Sequence, residues 1–177
     1  GWTLDPILPA LGDRAAAFIQ REAKTPKPFL VYMPLTSPHT PLSVNAKWKG
    51  KSKLNLYADF VMETDAIVGQ VVEALEKSGA AKNTLVIFTR DNGCAPYIGV
   101  TELEKMGHYP SGPLRGYKAD AWEGGHRVPF IVRWPGVVKA KSTCDQLVHQ
   151  ADLLATFAGI FETKLPASAG EDSFSLI

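Results

Sequence analysis

The sequence Thr-Leu-Val-Ile-Phe-Thr at residues 84–89 runs directly into Arg-Asp-Asn-Gly at residues 90–93. A continuous apolar run bounded by turn residues is typical of a parallel strand that is covered on both faces of its sheet. In such sheets ligands bind beyond the carboxyl ends of the strands, where Asp91 and Asn92 stand. Their side-chain oxygens suit a hard cation such as Ca²⁺ or Mg²⁺. Asn-Gly is also an ordinary turn dipeptide, and taken alone this segment favours a turn.

Two further apolar runs have the same character. Residues 29–35, Phe-Leu-Val-Tyr-Met-Pro-Leu, lead into Thr-Ser-Pro-His-Thr-Pro at residues 36–41, which places His39 between two prolines at the end of a predicted strand. Proline restricts its own backbone and that of the preceding residue, so this loop is expected to be stiff. Residues 128–134 form a third strand-like run.

Helical periodicity separates these runs. Between residues 55 and 77 apolar side chains recur at helical spacing, which predicts the longest helix of the chain. Shorter helices are predicted at residues 13–22 and 145–160, and a loop with one helical turn near residues 102–105 is predicted at residues 94–113. The alternation predicts an α/β domain in which the three strands share one mostly parallel sheet, sandwiched by helices, with the long helix across one face.

Composition and charge exclude several classes of protein. With 177 residues, of which 45% are hydrophobic and 21% charged, the chain is long enough for one domain with a substantial core. The net charge of +1 argues against nucleic-acid binding driven by bulk charge, so no nucleic-acid partner is expected. Two cysteines are too few for a disulfide framework. No apolar run approaches the roughly 20 residues that cross a bilayer, so no membrane span is expected.

Several short motifs, in this order along the chain, resemble those of one enzyme family. They are Pro-His-Thr-Pro at residues 38–41, Thr-x-Asp-Asn-Gly at residues 89–93, Arg-Gly-x-Lys at residues 115–118, Glu-Gly-Gly-x-Arg-Val-Pro at residues 123–129, and Arg-Trp-Pro-Gly at residues 133–136. Together they resemble the type I, formylglycine-dependent sulfatases of the alkaline phosphatase superfamily. The resemblance extends over nearly the whole chain and implies an alkaline phosphatase-like fold.

The resemblance implies a role for each matching side chain. Asp91 and Asn92 match metal ligands, with Ca²⁺ the usual ion and Mg²⁺ the other candidate. Lys118 matches the lysine that contacts the sulfate oxygens, and His39 matches the histidine that contacts the sulfate and the bridging oxygen and can protonate the leaving alcohol. His108 is a further candidate for binding the sugar or aryl part of the substrate. A lone lysine is otherwise usually solvated, His39 could simply pack its loop, and His108 could equally be an exposed loop histidine.

The family nucleophile has no counterpart in the sequence. It is a formylglycine made from the first residue of a Cys/Ser-x-Pro/Ala-x-Arg motif, and the nearest match, Cys-Ala-Pro-Tyr-Ile at residues 94–98, has Ile98 where arginine belongs. We therefore expect residues 1–177 to be the C-terminal part of a sulfatase catalytic domain, truncated at both ends. The formylglycine is expected in the missing N-terminal part, and the chain by itself is expected to be inactive.

The functional prediction is hydrolysis of sulfate esters, in a sulfated small molecule or a sulfated glycan, as part of a larger chain. One alternative is a phosphodiesterase or phosphonate hydrolase of the same superfamily, and another is a non-catalytic truncated homologue that acts as a binding domain. The presence of both His39 and Lys118 favours sulfate. Arg115 and Arg127 are expected to pair with carboxylates and so hold their loop. Family resemblance implies a periplasmic, secreted or lysosomal location.

Overall fold

The computed structural model describes residues 3–177, which divide into two compact units, the first ending at Ala140 and the second running from Lys141 to Ile177. The first unit contains four α-helices, two 3-10 helices and two strands within its described residues. They are α1 (Ile7–Glu22), α2 (Leu56–Ser78), a 3-10 helix (Ala80–Asn83), β1 (Val86–Thr89), a second 3-10 helix (Pro96–Ile98), α3 (Val100–Lys105), α4 (Glu123–His126) and β2 (Phe130–Arg133). The second unit contains α5 (Asp152–Ile160).

Helix α2 confirms the prediction of a long helix at residues 55–77. Its first turn is capped by Asn55, whose side-chain oxygen accepts a hydrogen bond from the backbone N–H of Ala58 at 3.0 Å. Its last turn ends at Gly79, which adopts φ 78°, a left-handed conformation that glycine reaches without steric cost. The Asn55 cap therefore marks the start of this helix, Gly79 marks its end, and the apolar period runs between them.

Helix α1 begins earlier than residue 13, where the sequence predicted it. Pro6 occupies the N-cap position, and a proline at a helix start loses no intrahelical hydrogen bond. The early turns also contribute to the core, since Leu8 is 2% exposed. Helix α1 packs against α2 and buries Ala16 and Ile19 in a cluster with Ala74 and Leu75. Burial of these side chains is the main stabilising contribution to the helix pair.

Within residues 3–177 the sheet differs from the predicted one in strand direction and in number of strands. Strands β1 and β2 pair antiparallel, with Val86 opposite Arg133 and Thr89 opposite Phe130, and they form a two-stranded sheet in the described part of the chain. The prediction took the alternation of helices and strands as a sign of parallel crossovers. Here 40 residues of loop and short helices connect the strands, and a connection of that length allows either direction.

Residues 29–35, the remaining predicted strand, form no ladder with any other segment among residues 3–177. Their side chains are alternately half-buried and exposed, as in an extended segment, and Phe29 and Val31 pack against the cluster that α1 and α2 share. The intervening Leu30 and Tyr32 are 69% and 86% exposed. The apolar run predicted a strand covered on both faces, but one face of this segment is exposed and, within the described residues, no neighbouring strand completes its hydrogen bonds.

The second unit contains one short helix where the sequence predicted a helix over residues 145–160. Helix α5 starts at Asp152, and the carboxylate of this residue accepts hydrogen bonds from the N–H groups of His149, at 2.8 Å, and Phe174, at 3.0 Å. These bonds tie the preceding loop and the C-terminal segment to the first turn of α5. They also lower the pKa of Asp152, although burial acts in the opposite direction.

Candidate active site

Asp91 and Asn92 follow the end of β1 at Thr89, as the sequence predicted. The carboxylate of Asp91 is exposed, and Asn92 is half-buried. The amide nitrogen of Asn92 donates a hydrogen bond to the carbonyl oxygen of Gly93 at 2.9 Å. Because the nitrogen makes this bond, the other end of the amide presents its oxygen, which is the donor atom that a hard cation requires.

Backbone hydrogen bonds join this turn to the segment that carries Lys118. The N–H of Gly93 donates to the carbonyl of Gly125 at 2.9 Å, and the N–H of Lys118 donates to the carbonyl of Cys94 at 2.8 Å. Gly93 has to be glycine at this point, because a Cβ atom there would overlap the carbonyl oxygen of Gly124. The two segments therefore form one rigid junction, and the position of Lys118 is fixed relative to the end of β1.

Two side-chain contacts brace the Lys118 segment further. The hydroxyl of Tyr117 donates a short hydrogen bond to the carboxylate of Glu104 on α3. This bond, together with partial burial and the charge of Glu104, raises the pKa of Tyr117 to about 12. The guanidinium of Arg115 lies 3.7 Å from the centre of the Trp122 ring, a close cation–π stack.

His39 reaches the same place from a distant part of the sequence. Its ring nitrogen Nδ1 lies 2.6 Å from the carbonyl oxygen of Thr40, and Nε2 lies 3.4 Å from Nζ of Lys118. A carbonyl oxygen only accepts, so Nδ1 carries a proton. In the neutral ring Nε2 is therefore the acceptor, and it faces the ammonium group of Lys118. We call these two side chains the His–Lys pair.

His108, Arg127 and Arg115 make their contacts with residues other than the His–Lys pair. His108 is exposed and follows α3, and its backbone N–H donates to the carbonyl of Leu103 at 2.9 Å. Arg127 forms the expected ion pair, with Glu123 at 2.9 Å. The same expectation is wrong for Arg115, which stacks on an aromatic ring, because indole and guanidinium planes pack well when both are exposed.

A cavity of about 330 Å³ opens beside the junction. Its lining includes Gly93, Cys94, Ser111, Arg90 and Arg127. The Sγ atom of the buried Cys94 lies 3.6 Å from the hydroxyl oxygen of Ser111. The cavity therefore combines cationic and neutral polar groups next to the turn that follows β1.

A family model described as Sulfatase matches residues 9–163. The chain belongs to the sulfatase family. This sulfatase chain is 34% identical over 175 residues to an N-acetylgalactosamine-6-O-sulfatase of Bacteroides thetaiotaomicron, with 97% of the chain and 34% of that relative covered. It is 36% identical over 165 residues to the steryl-sulfatase of Homo sapiens, with 92% of the chain and 27% of that relative covered. The chain thus spans between about a quarter and a third of the length of these curated relatives.

Solved structures give the same result for the fold. One solved structure is described as belonging to the metabolism of multiple glycosaminoglycans by Bacteroides thetaiotaomicron. It superimposes with a TM-score of 0.90 at 32% sequence identity, and the match covers 99% of this chain and 36% of the other protein's chain. The crystal structure of Ps i-CgsB in complex with k-i-k-neocarrahexaose gives a TM-score of 0.85 at 30% identity. This match covers 96% of this chain and 37% of the Ps i-CgsB chain. The sulfatase chain therefore shares the α/β fold of these alkaline phosphatase-like structures.

Sequence reasoning missed the two contacts that brace the Lys118 segment. Tyr117 is adjacent to Lys118, and this position could have marked it as a residue of the site. Glu104 lies 13 positions from Tyr117, and nothing in the sequence around Glu104 marks it as a partner. The pairing depends on the packing of α3 beside the loop that carries Tyr117. Within residues 3–177, no cluster of three or more His, Cys, Asp or Glu side chains could hold a metal, and no helix is long and apolar enough to cross a membrane.

Proposed function

We propose that this chain supplies the sulfate-binding residues of a sulfatase active site, and that the longer protein hydrolyses sulfate esters. The supporting observation is the His–Lys pair. Its two polar atoms lie 3.4 Å apart although 79 positions of sequence separate the residues. A solvated lysine and a loop-packing histidine would have no reason to meet, whereas a bound sulfate ester would need both.

Lys118 acts as the charge partner of the sulfate group. Its ammonium is a compact positive charge with three donors, which suits the tetrahedral array of sulfate oxygens without the planar geometry that arginine requires. The backbone bond from Lys118 to Cys94 and the Tyr117–Glu104 contact hold the segment, so little motion is needed when the substrate binds. We infer that Lys118 offsets negative charge as the S–O bond breaks.

His39 acts at the bridging oxygen. Because Nδ1 is committed to the carbonyl of Thr40, the free ring position is Nε2, which is also the position that faces Lys118. A proton on Nε2 can be given to the leaving alcohol, while the Thr40 contact keeps the ring oriented. Loss of that proton leaves the other ring proton on Nδ1, where the carbonyl oxygen of Thr40 accepts it.

Asp91 and Asn92 are proposed ligands of a divalent cation, with Ca²⁺ preferred over Mg²⁺. Their carboxylate and amide oxygens fit the hard-ligand chemistry of this ion, but Ca²⁺ takes about six to eight oxygens, so two residues provide only part of its shell. When bound, such an ion would supply positive charge for sulfate binding. We propose that the remaining ligands and the formylglycine nucleophile come from the rest of the longer protein.

We further propose that residues 1–177 form the C-terminal part of the sulfatase catalytic domain. In the longer protein, the extended residues 29–35 would join the mostly parallel sheet, sandwiched by helices, that the sequence predicted. The relatives named above suggest a sulfated glycan as substrate, with a sulfated small molecule as the other candidate. His108 is proposed to contact the sugar or aryl part. The phosphodiesterase alternative is not favoured, since the family match and the named relatives are sulfatases.

The proposal is tested by turnover of aryl sulfates in the longer protein that contains this chain. Lys118→Ala should lower kcat by about 10²–10³-fold, the usual effect of losing one charge-stabilising donor. His39→Ala should lower kcat by about 10²–10⁴-fold for poor leaving groups and much less for good ones, which need no proton. Lys105→Ala, at an exposed lysine on α3, is the matched control and should leave kcat unchanged.

Four results would count against the proposal. Normal turnover by Lys118→Ala would remove that residue from the site. An equal loss for good and poor leaving groups would make His39 a binding residue and not an acid. Full aryl sulfatase activity from residues 1–177 alone would show that the nucleophile lies within this chain, while a longer protein that binds sulfate esters without any turnover would support the binding-domain alternative.

A further inference from the structure

A short loop on the first unit carries four lysines at alternate positions. We call residues 47–53 the lysine loop; its members Lys47, Lys49, Lys51 and Lys53 are all exposed. None of these ammonium groups forms an ion pair with a carboxylate in the part of the chain that the structure describes. The loop therefore presents a local excess of positive charge on a chain whose net charge is only +1.

Hydrogen bonds to a buried carboxylate hold the backbone of the lysine loop in place. The carboxylate of Asp59, on α2, accepts hydrogen bonds from the N–H groups of Gly50 at 2.6 Å and Ser52 at 2.8 Å. Although burial acts to raise it, the pKa of Asp59 is lowered by these bonds, so the carboxylate stays charged. Trp48 packs against the core cluster that contains Val44, and successive turns link Trp48 to Asn45 and Lys51.

The Asp59 carboxylate is buried beneath the lysine loop, so it does not pair with the lysine ammonium groups on the outer surface. Both of its oxygens are committed to backbone N–H groups, and the residue is 4% exposed. The negative charge is thus held under the loop, while the four ammonium groups face solvent on a backbone that is already ordered. An ordered array of cations loses less conformational entropy on binding an anionic partner than a flexible one does.

The lysine loop also lies close to the His–Lys pair along the chain. Lys47 follows His39 by eight residues, so their α-carbons are at most about 29 Å apart. Between them Leu42 and Val44 pack into the core of the same unit, which fixes the connection. A polymer that is longer than a few sugar units could therefore contact both places.

We propose that the lysine loop binds a polysulfated glycan, and that it holds sulfates of the polymer other than the one at the His–Lys pair. The choice of a sulfated polymer as the ligand rests on the proposed function, hydrolysis of sulfate esters. Nucleic acid fits less well, because proteins that bind single strands combine cations with exposed aromatic rings on which bases stack. The one aromatic residue of the loop, Trp48, is half-buried, and Nζ of Lys47 lies 5.7 Å from its ring centre.

The test measures binding of residues 1–177 to immobilised chondroitin sulfate and dextran sulfate, with unsulfated dextran as the neutral probe. A variant with Lys47, Lys49, Lys51 and Lys53 all replaced by glutamine should bind both sulfated polymers about tenfold or more weakly, since several exposed ionic contacts are lost together. Its affinity should also depend less on salt. Circular dichroism checks that the variant is folded.

The matched control removes the same number of charges elsewhere. Glutamine replaces four exposed lysines of the same unit that lie outside the loop, and this variant should bind within about twofold of the original chain. These control positions are Lys24, Lys27, Lys82 and Lys105. An equal loss in the control, or no loss in the loop variant, would overturn the proposal because binding would then follow net charge or another surface.

Two further measurements separate this proposal from others. If single-stranded DNA of similar length binds as tightly as chondroitin sulfate, and the loop variant loses both, the glycan assignment is wrong. A longer protein that shows no sulfatase turnover but keeps loop-dependent binding would contradict the proposed function and leave the lysine loop assignment standing.

Discussion

Replacing Gly93 by alanine should destabilise the chain by breaking the junction between the end of β1 and the Lys118 segment. The new Cβ would overlap the carbonyl oxygen of Gly124 and lie 3.3 Å from the α-carbon of Gly125. Both neighbours are backbone atoms and cannot rotate away as a side chain could. The backbone at Gly124 and Gly125 must therefore shift, and the 2.9 Å hydrogen bond from Gly93 to Gly125 is lost.

The expected size follows from these two effects. Forcing extra atoms into a packed site costs about 1–3 kcal/mol, and losing one backbone hydrogen bond costs about 0.5–1.5 kcal/mol. We expect the free energy of unfolding to fall by about 2–4 kcal/mol in Gly93→Ala. The measurement is urea denaturation of residues 1–177, followed by far-ultraviolet circular dichroism.

Gly69→Ala is the matched control. Gly69 lies within α2, and a Cβ there meets no heavy atom within 4 Å. Alanine at this position should raise the free energy of unfolding by about 0.5–1 kcal/mol, because glycine has the poorer helix propensity. A loss below about 0.5 kcal/mol in Gly93→Ala, or a shift of the same sign in both variants, would refute the steric reasoning.

Two other predictions concern ionisable groups. Asp59→Asn should lower the free energy of unfolding by about 1–3 kcal/mol, because two loop N–H groups lose a charged acceptor, whereas Asp65→Asn on the exposed face of α2 should change it little in the same urea experiment. Since folding raises the pKa of Tyr117 from its ordinary value of 10.0 to about 12, the stabilisation from its bond to Glu104 should be full below pH 10 and disappear as the pH rises towards 12. The difference in urea midpoint between the original chain and Tyr117→Phe should therefore shrink across this window, and a constant difference would contradict the assignment.

The elements that the sequence predicted well are those whose signals are local. Helix α2 has an apolar period, an Asn55 cap and a terminal Gly79, and each of these acts within a few residues. Strand direction is not a local property. The segments of β1 and β2 were recognised, but nothing in either run specifies that they pair antiparallel across a long connection.

The same distinction applies to the candidate site. His39 and Lys118 were singled out through resemblance to a family, since neither residue type in isolation indicates a site, and their roles stay predictions although the structure brings them to 3.4 Å. The stack of Arg115 on Trp122 and the bond between Tyr117 and Glu104 depend on how loops fold back on α3. Such contacts are set by tertiary packing, which sequence periodicity does not describe.

The extended segment at residues 29–35 has a consequence for how the chain behaves in concentrated solution. It makes no backbone–backbone hydrogen bond within the described part of the chain, and it carries the exposed side chains of Leu30 and Tyr32. Free backbone edges beside exposed apolar groups are a template for pairing between molecules. Proline at residue 34 interrupts this template, because it has no N–H to offer a neighbouring chain. Self-association of the chain should therefore begin on residues 29–33, where a charged side chain in place of Tyr32 would suppress it.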